Sequence, residues 1–203
     1  MKIICVGRNY INHAKELSNP VPTEPVLFMK PSTALLINKR PFFYPGFSKN
    51  IHHELELVIQ INHNGKAIQP EFAHKYYDKI GLGIDFTARD IQDKCKEKSL
   101  PWEIAKAFDY SAVLGDLIPL SDLKNRDAIE FELKKNGERV QLGNSRDMIF
   151  NFNQIICYAS QFFKLLKGDL IYTGTPAGVG PVVSGDTLEG YLEGTSILYV
   201  NVK

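Results

Sequence analysis

The chain has 203 residues with 24 basic and 23 acidic side chains, so no overall field draws it to nucleic acid or an anionic membrane. Its length, with 44% hydrophobic and 23% charged residues, supports one globular domain over 1–203 without disulfides or structural zinc. Cys5, Cys95 and Cys157 form no CxxC pair, and neither a secretory leader nor a run of ~20 apolar residues is present, so a cytoplasmic protein with reduced thiols is expected.

In chain order, residues 3–6 are predicted as a short buried strand ending at Gly7. Residues 8–17 have helical character, with Tyr10, Ala14 and Leu17 at compatible spacing. Three prolines in 18–25 exclude regular structure there, and the neighbouring His13 and Glu16 suggest a mobile lid. A strand is expected at 26–29, closed by Lys30-Pro31. The clearest strand is 55–61, where Leu55, Leu57, Ile59 and Ile61 alternate with Glu54, Glu56, Val58 and Gln60, before an Asn64-Gly65 turn. A helix at 70–79, a strand at 80–86 with Gly81 and Gly83 allowing close backbone approach, and a helix at 87–98 capped by Thr87 with Asp90 follow. Beyond Leu114 come strands at 130–134 and 139–141 about an Asn136-Gly137 turn, and a helix at 151–166 with Phe152, Ile155, Ile156, Ala159 and Phe163 on one face. A strand at 170–173, a glycine-rich stretch at 174–180 and strands at 187–192 and 197–202 complete the chain. Strands outnumber helices without a regular βαβ alternation, which makes the class α+β around a mixed, curled sheet.

Three groups of residues carry chemistry. In His52-His53-Glu54-Leu55-Glu56-Leu57, Glu54 and Glu56 share a strand face, and a divalent cation between them would remove their repulsion. A solvated acidic face is the alternative that the bare motif allows equally. Asp85 at a strand-to-helix junction adds a third oxygen ligand, which suits Mg²⁺ or Mn²⁺; a zinc site using His52 would leave Asp85 without a role. His13 and Glu16, three apart on a helical turn, can touch, and a carboxylate beside imidazole makes a general base; a surface ion pair is the plainer alternative. Lys106, among Trp102 and Phe108, is a candidate oxyanion stabiliser. The stretch 174–180 lacks a phosphate-loop ending, and is read as a tight loop that presents Thr175 and main-chain N–H groups to a ligand carboxylate.

Gly-Arg-Asn-Tyr-x-x-His-Ala-x-Glu at 7–16, Phe-Met-Lys-Pro at 28–31, His-His-Glu-Leu-Glu-Leu at 52–57, Asp-Phe-Thr-Ala-Arg-Asp-Ile-Gln at 85–92 and Thr-Gly-Thr-Pro-Ala-Gly-Val-Gly at 173–180 resemble the fumarylacetoacetate hydrolase family. Within it they resemble the short branch of acylpyruvases, oxaloacetate decarboxylases and oxaloacetate tautomerases. The resemblance implies a rolled mixed β-sheet with few helices, of the family's C-terminal-domain type, in a homodimer. It implies Glu54, Glu56 and Asp85 as ligands of one Mg²⁺ or Mn²⁺, and His13 with Glu16 as an acid–base dyad on a lid. Lys106 joins them in catalysis, and Arg8, Arg89, Gln92 and Thr175 contact a small 2-oxo acid. The expected reaction is hydrolysis of the C3–C4 bond of acylpyruvates to pyruvate and a carboxylic acid. Oxaloacetate decarboxylation or keto–enol tautomerisation at the same site is the alternative, and a non-catalytic metal or 2-oxo acid binding protein a more remote one. An iron dioxygenase using His52 is a further enzyme class to exclude.

Overall fold

The computed structural model describes residues 1–16, 20–37 and 39–203; the lid expected from Ser18 onward, and the end of the helix expected at Leu17, fall partly outside them. The elements are β1 (Ile3–Gly7), α1 (Ile11–Glu16), β2 (Val26–Lys30), β3 (Leu35–Leu36), β4 (Ile51–His53), β5 (Leu55–Ile61), β6 (Tyr77–Asp85) and β7 (Thr87–Ala88). Then come α2 (Arg89–Glu97), α3 (Glu103–Lys106), β8 (Ala112–Leu114), β9 (Ile118–Pro119), β10 (Glu130–Lys135) and β11 (Glu138–Asn144). The chain closes with α4 (Phe152–Phe162), β12 (Leu170–Tyr172), β13 (Gly180–Pro181), β14 (Thr187–Leu192) and β15 (Thr195–Asn201).

The central sheet has eight strands in the order β2-β1-β12-β5-β6-β8-β3, with β9 also on β6. The pairs β1–β12 and β3–β8 are parallel and the others antiparallel, so the sheet is mixed and the α+β expectation holds. A four-stranded sheet, β11-β10-β14-β15, and a three-stranded one, β13-β4-β7, complete the architecture. Among the described residues, no helix is long and apolar enough to cross a membrane.

The strand β5 explains how the site is placed. Leu55, Leu57, Ile59 and Ile61 enter the larger core, with Ile155, Leu188 and Val200. Val58 faces the other way, into a smaller core of Ile3, Cys5, Ala34, Ala112, Leu170 and Tyr172. Both faces of the sheet are therefore covered, which excludes a solvated acidic face for Glu54 and Glu56: they are only 5% and 2% exposed. Gly83 lies opposite Glu56, and a Cβ there would meet the Tyr172 ring at 2.5 Å, so the close approach expected of this glycine is real. The hairpin β10–β11 turns through Asn136 and Gly137, both at positive φ (54° and 84°), as its sequence requires.

Three local expectations need correction. Thr87 does not cap α2: Thr87-Ala88 pairs with β4, the Thr87 hydroxyl donates to the Asp85 carbonyl (3.3 Å), and the helix begins at Arg89 without a side-chain cap. The competing ladder with His52 holds Thr87 extended. Residues 70–75 form a 3₁₀ turn rather than a helix to 79, because Tyr77–Lys79 already belong to β6. The helix expected over 151–166 stops at Phe162, and its Asn151–Gln154 capping box sets its start.

Candidate active site

The convergence of the three carboxylates follows from strand register. Glu56 pairs with Gly83 and Leu55 with Ile84, and the Asp85 N–H donates to the Glu54 carbonyl (2.9 Å). Residues Glu54, Glu56 and Asp85 therefore share one face of the β5–β6 ladder, at the edge of the smaller core. A carboxylate oxygen of each lies within 4.8 Å of the others, and all three residues are buried. This is the one such group of His, Cys, Asp or Glu found among the described residues. His52 is not in it: its Nε2 bonds to Asn50 Oδ1 (3.0 Å), and no ligand cluster containing His52 is found among the described residues, so the zinc and iron alternatives gain no support.

Three buried cations face these carboxylates. Lys106 Nζ donates to Glu54 Oε2 and Asp85 Oδ2, both at 2.7 Å, and lies 5.3 Å from the centre of the Phe28 ring. Arg89 donates to Glu54 Oε1 and to Gln92 Oε1, both at 2.6 Å, so much of its fork is already engaged by the protein. Lys30 Nζ lies 2.8 Å from Asp85 Oδ1, donates to Ser111 Oγ (2.9 Å) and also binds the Lys106 carbonyl. Burial acts to raise the pKa of Glu54, but Lys106 and Arg89 outweigh it and hold the carboxyl well below the usual range. Among the described residues, Glu56 has no cation at hydrogen-bonding distance, and its Oε2 accepts only the Gly174 N–H (2.7 Å). Burial, with repulsion from Asp85 and Glu54, pushes its pKa well up. Burial would lower the pKa of Lys106, yet Asp85 and Glu54 raise it above the ordinary value.

A divalent cation fits this cradle. Among the described residues, Asp85 Oδ1 is buried with no hydrogen-bond donor, since Lys30 supplies charge to it but not a well-aligned N–H. Glu56 is a carboxylate left short of positive charge. An all-oxygen donor set suits a hard ion.

The proposed dyad sits across the same cleft. His13, buried on α1, donates from Nδ1 to Glu16 Oε2 (3.1 Å), and Glu16 Oε1 accepts the Gly178 N–H (3.0 Å). The helix is anchored through Asn9, whose side chain donates to the carbonyls of Phe150 (2.9 Å) and Thr173 (2.7 Å) and accepts the Phe150 N–H (2.8 Å). His13, Arg8, Arg89, Gln92, Lys106 and Thr175 all line one cleft with the three carboxylates. The structure thus brings every sequence-predicted site residue to that cleft or, for Glu16, to its edge.

The glycine-rich loop differs in one respect from its expected use. Its Gly174 and Gly178 N–H groups hold the protein's own carboxylates, Glu56 and Glu16, rather than standing free for a ligand. Sequence reasoning passed over three supporting residues: Asn9, Lys30 and Gln141. The buried Gln141 amide accepts the Leu55 N–H (3.0 Å) and the His53 Nδ1–H (2.9 Å), and donates to Thr175 Oγ1 (2.9 Å) and the Pro176 carbonyl (3.0 Å). It ties the start of β5 to the glycine-rich loop. For Lys30, the available signal was a lysine closing an apolar strand just before proline.

Nearly the whole chain matches known proteins. Residues 2–203 match the family model described as fumarylacetoacetate (FAA) hydrolase C-terminal. The chain is 42% identical over 201 residues to the mouse mitochondrial protein named oxaloacetate tautomerase FAHD1, covering 99% of this chain and 91% of that one. It is 42% identical over 197 residues to oxaloacetate tautomerase YcgM of Escherichia coli K12, covering 97% and 90%. A crystal structure of fumarylpyruvate hydrolase from Pseudomonas aeruginosa, in complex with Mn²⁺ and pyruvate, superposes with a TM-score of 0.93 at 37% identity, covering 100% of this chain and 89% of that one. The chain belongs to the fumarylacetoacetate hydrolase family.

Proposed function

We propose that this protein is an oxaloacetate tautomerase, which interconverts the keto and enol forms by moving a proton at C3. One observation carries the reading: Glu16 engages Nδ1 of a buried His13, which leaves Nε2 as the imidazole nitrogen available to the cleft that also holds the carboxylate cradle. Nε2 takes or returns the C3 proton, while Glu16 fixes the tautomer and balances the imidazolium. Lys106 Nζ sets positive charge against the negative charge that develops on the C2 oxygen. Glu54, Glu56 and Asp85 would hold one Mg²⁺ or Mn²⁺, which supplies Lewis-acid polarisation of a chelated 2-oxo acid. Thr175 and Gln92 bound the substrate within the cleft, beside Arg89, which donates to Glu54 and Gln92.

The tautomerase names of the mouse and bacterial relatives support this alternative over the acylpyruvate hydrolysis first expected. Hydrolysis stays as a second reading because of the similarity to fumarylpyruvate hydrolase. The whole of 1–203 acts as one catalytic domain in this reading. A homodimer accords with an exposed apolar face containing Phe47 and Ile104, and three unpaired cysteines accord with a reducing compartment such as the cytoplasm.

The deciding experiment follows the loss of enol-oxaloacetate absorbance with Mg²⁺, Mn²⁺ or chelator, beside pyruvate release from oxaloacetate and from acylpyruvates. Metal-dependent ketonisation far faster than any pyruvate release is expected. Rapid cleavage of acylpyruvates without accelerated ketonisation would replace the proposal with the hydrolase reading.

A further inference from the structure

The cleft has a buried end and a rim. At the buried end, the cations of Lys30, Lys106 and Arg89 are already taken up by Glu54 and Asp85, beside the third carboxyl group of Glu56, before any divalent ion is added. The rim carries Arg8 and Lys96, both half-buried. Lys96 follows Arg89 and Gln92 by seven and four residues on α2, so the three project from one helix face into the cleft. Unlike Arg89, neither Arg8 nor Lys96 has a carboxylate within 4 Å or a side-chain hydrogen bond among the described residues. Arg8 is also held at φ +63°, a left-handed conformation that costs a non-glycine residue free energy and directs this arginine to the cleft. Partial burial, followed by repulsion from Arg89 and, more weakly, Arg8, lowers the pKa of Lys96 despite Asp93 and Glu54 nearby. Two cations at the mouth of one cleft, both short of an anion, call for a second negative group on the ligand.

We propose that Arg8 and Lys96 form a subsite for a distal carboxylate, which makes the cleft selective for dicarboxylic 2-oxo acids over those with a neutral tail. The proposal rests on the cleft being a 2-oxo acid site; it adds a residue, Lys96, to that reading and names the groups that would read the second carboxylate of a substrate such as oxaloacetate. The chelating head of the ligand belongs at the buried end. A four-carbon diacid then has its other carboxylate at the rim, where charge-assisted hydrogen bonds from a guanidinium and an ammonium replace water.

Malate and lactate test this, because they share a 2-hydroxy acid head and differ by the distal carboxylate alone. Binding is measured by calorimetry on the Mn²⁺-loaded protein, with oxalate, which has only the chelating head, as a reference. Wild type should bind malate about tenfold or more tighter than lactate. Lys96→Met should bring that ratio to within about threefold, with lactate and oxalate affinities unchanged. Arg8→Asn, which keeps a residue tolerant of positive φ, should also reduce the ratio. An unchanged ratio in Lys96→Met, or an equal loss for all three ligands, overturns the subsite while leaving the 2-oxo acid site standing if wild type binds oxalate. Failure of wild type to bind oxalate overturns both.

Discussion

The carboxylate cradle and the His13–Glu16 dyad face one another across a cleft, yet they are built in different ways. Glu56 and Asp85 stand on two strands in the middle of an eight-stranded sheet and Glu54 immediately precedes the first of them, with cations from β2, α2 and α3 around them. The dyad stands on a six-residue helix, and the Glu16 side chain is about one-third exposed (32%). A helix so short has little stability of its own. It is held by Asn9 at one end and the Gly178 N–H at the other. The cradle is therefore set by long-range register, and the dyad by a few hydrogen bonds that can be released individually. Binding and proton transfer should be separable by mutation.

The largest effect should come from the cradle. Glu56→Gln keeps the shape and the acceptor for Gly174 but removes a metal ligand, and turnover should fall by roughly 10³-fold or more. Without metal the variant should be more stable than wild type, by ~2–4 °C in melting temperature, because a buried carboxylate without its own cation is gone. Mn²⁺ should raise the melting temperature of wild type only. A metal-dependent shift that survives in Glu56→Gln would break the comparison from the cradle side.

His13→Ala should lower tautomerisation by about 10²–10⁴-fold, as loss of a general base does, with Mn²⁺ and oxalate affinities close to wild type by calorimetry. Parental turnover would leave His13 as no more than a buried imidazole paired with Glu16. A smaller effect is expected from Gly178→Ala. Gly178 has φ +98°, and a Cβ there would lie 2.3 Å from the Val140 carbonyl oxygen, so the loop must shift and loosen its hold on Glu16. We expect about a tenfold loss of kcat with unchanged metal affinity, and a stability cost of ~1–3 kcal/mol by denaturant unfolding. Equal losses in metal binding and kcat would show that the loop serves the two halves jointly.

The cradle was legible because alternation assigns Glu54 and Glu56 to one face, and because Asp85 ends an apolar strand containing glycine. The dyad was legible because i,i+3 spacing is local. The supporting residues were harder to read, since their roles are fixed by partners far away in sequence. Lys30 bonds to groups 76 and 81 residues distant, so in sequence it resembles an ordinary strand-ending lysine. Gln141 inverts the expected pattern: Leu142 is exposed and Val140 only half-buried, while the amide between them points inward. Thr87 failed as a predicted cap because a cross-strand pair with His52 outcompetes a local side-chain bond. Propensity and periodicity describe neighbours, and these residues answer to remote ones.

The four-bond amide of Gln141 has a consequence for how the protein opens. It joins the N–H of Leu55 to the oxygen atoms of Thr175 and Pro176, across chain separations of 86 and about 35 residues. Fluctuations that free the glycine-rich loop must break the hydrogen bonds of this amide and so loosen the start of β5, which carries Glu56 and directly follows Glu54. The two segments form one cooperative unit of local unfolding, and the Leu55 and Gly174 amides should exchange with solvent deuterium at a common opening free energy, above that of α1 and of the Gly178 amide bonded to it.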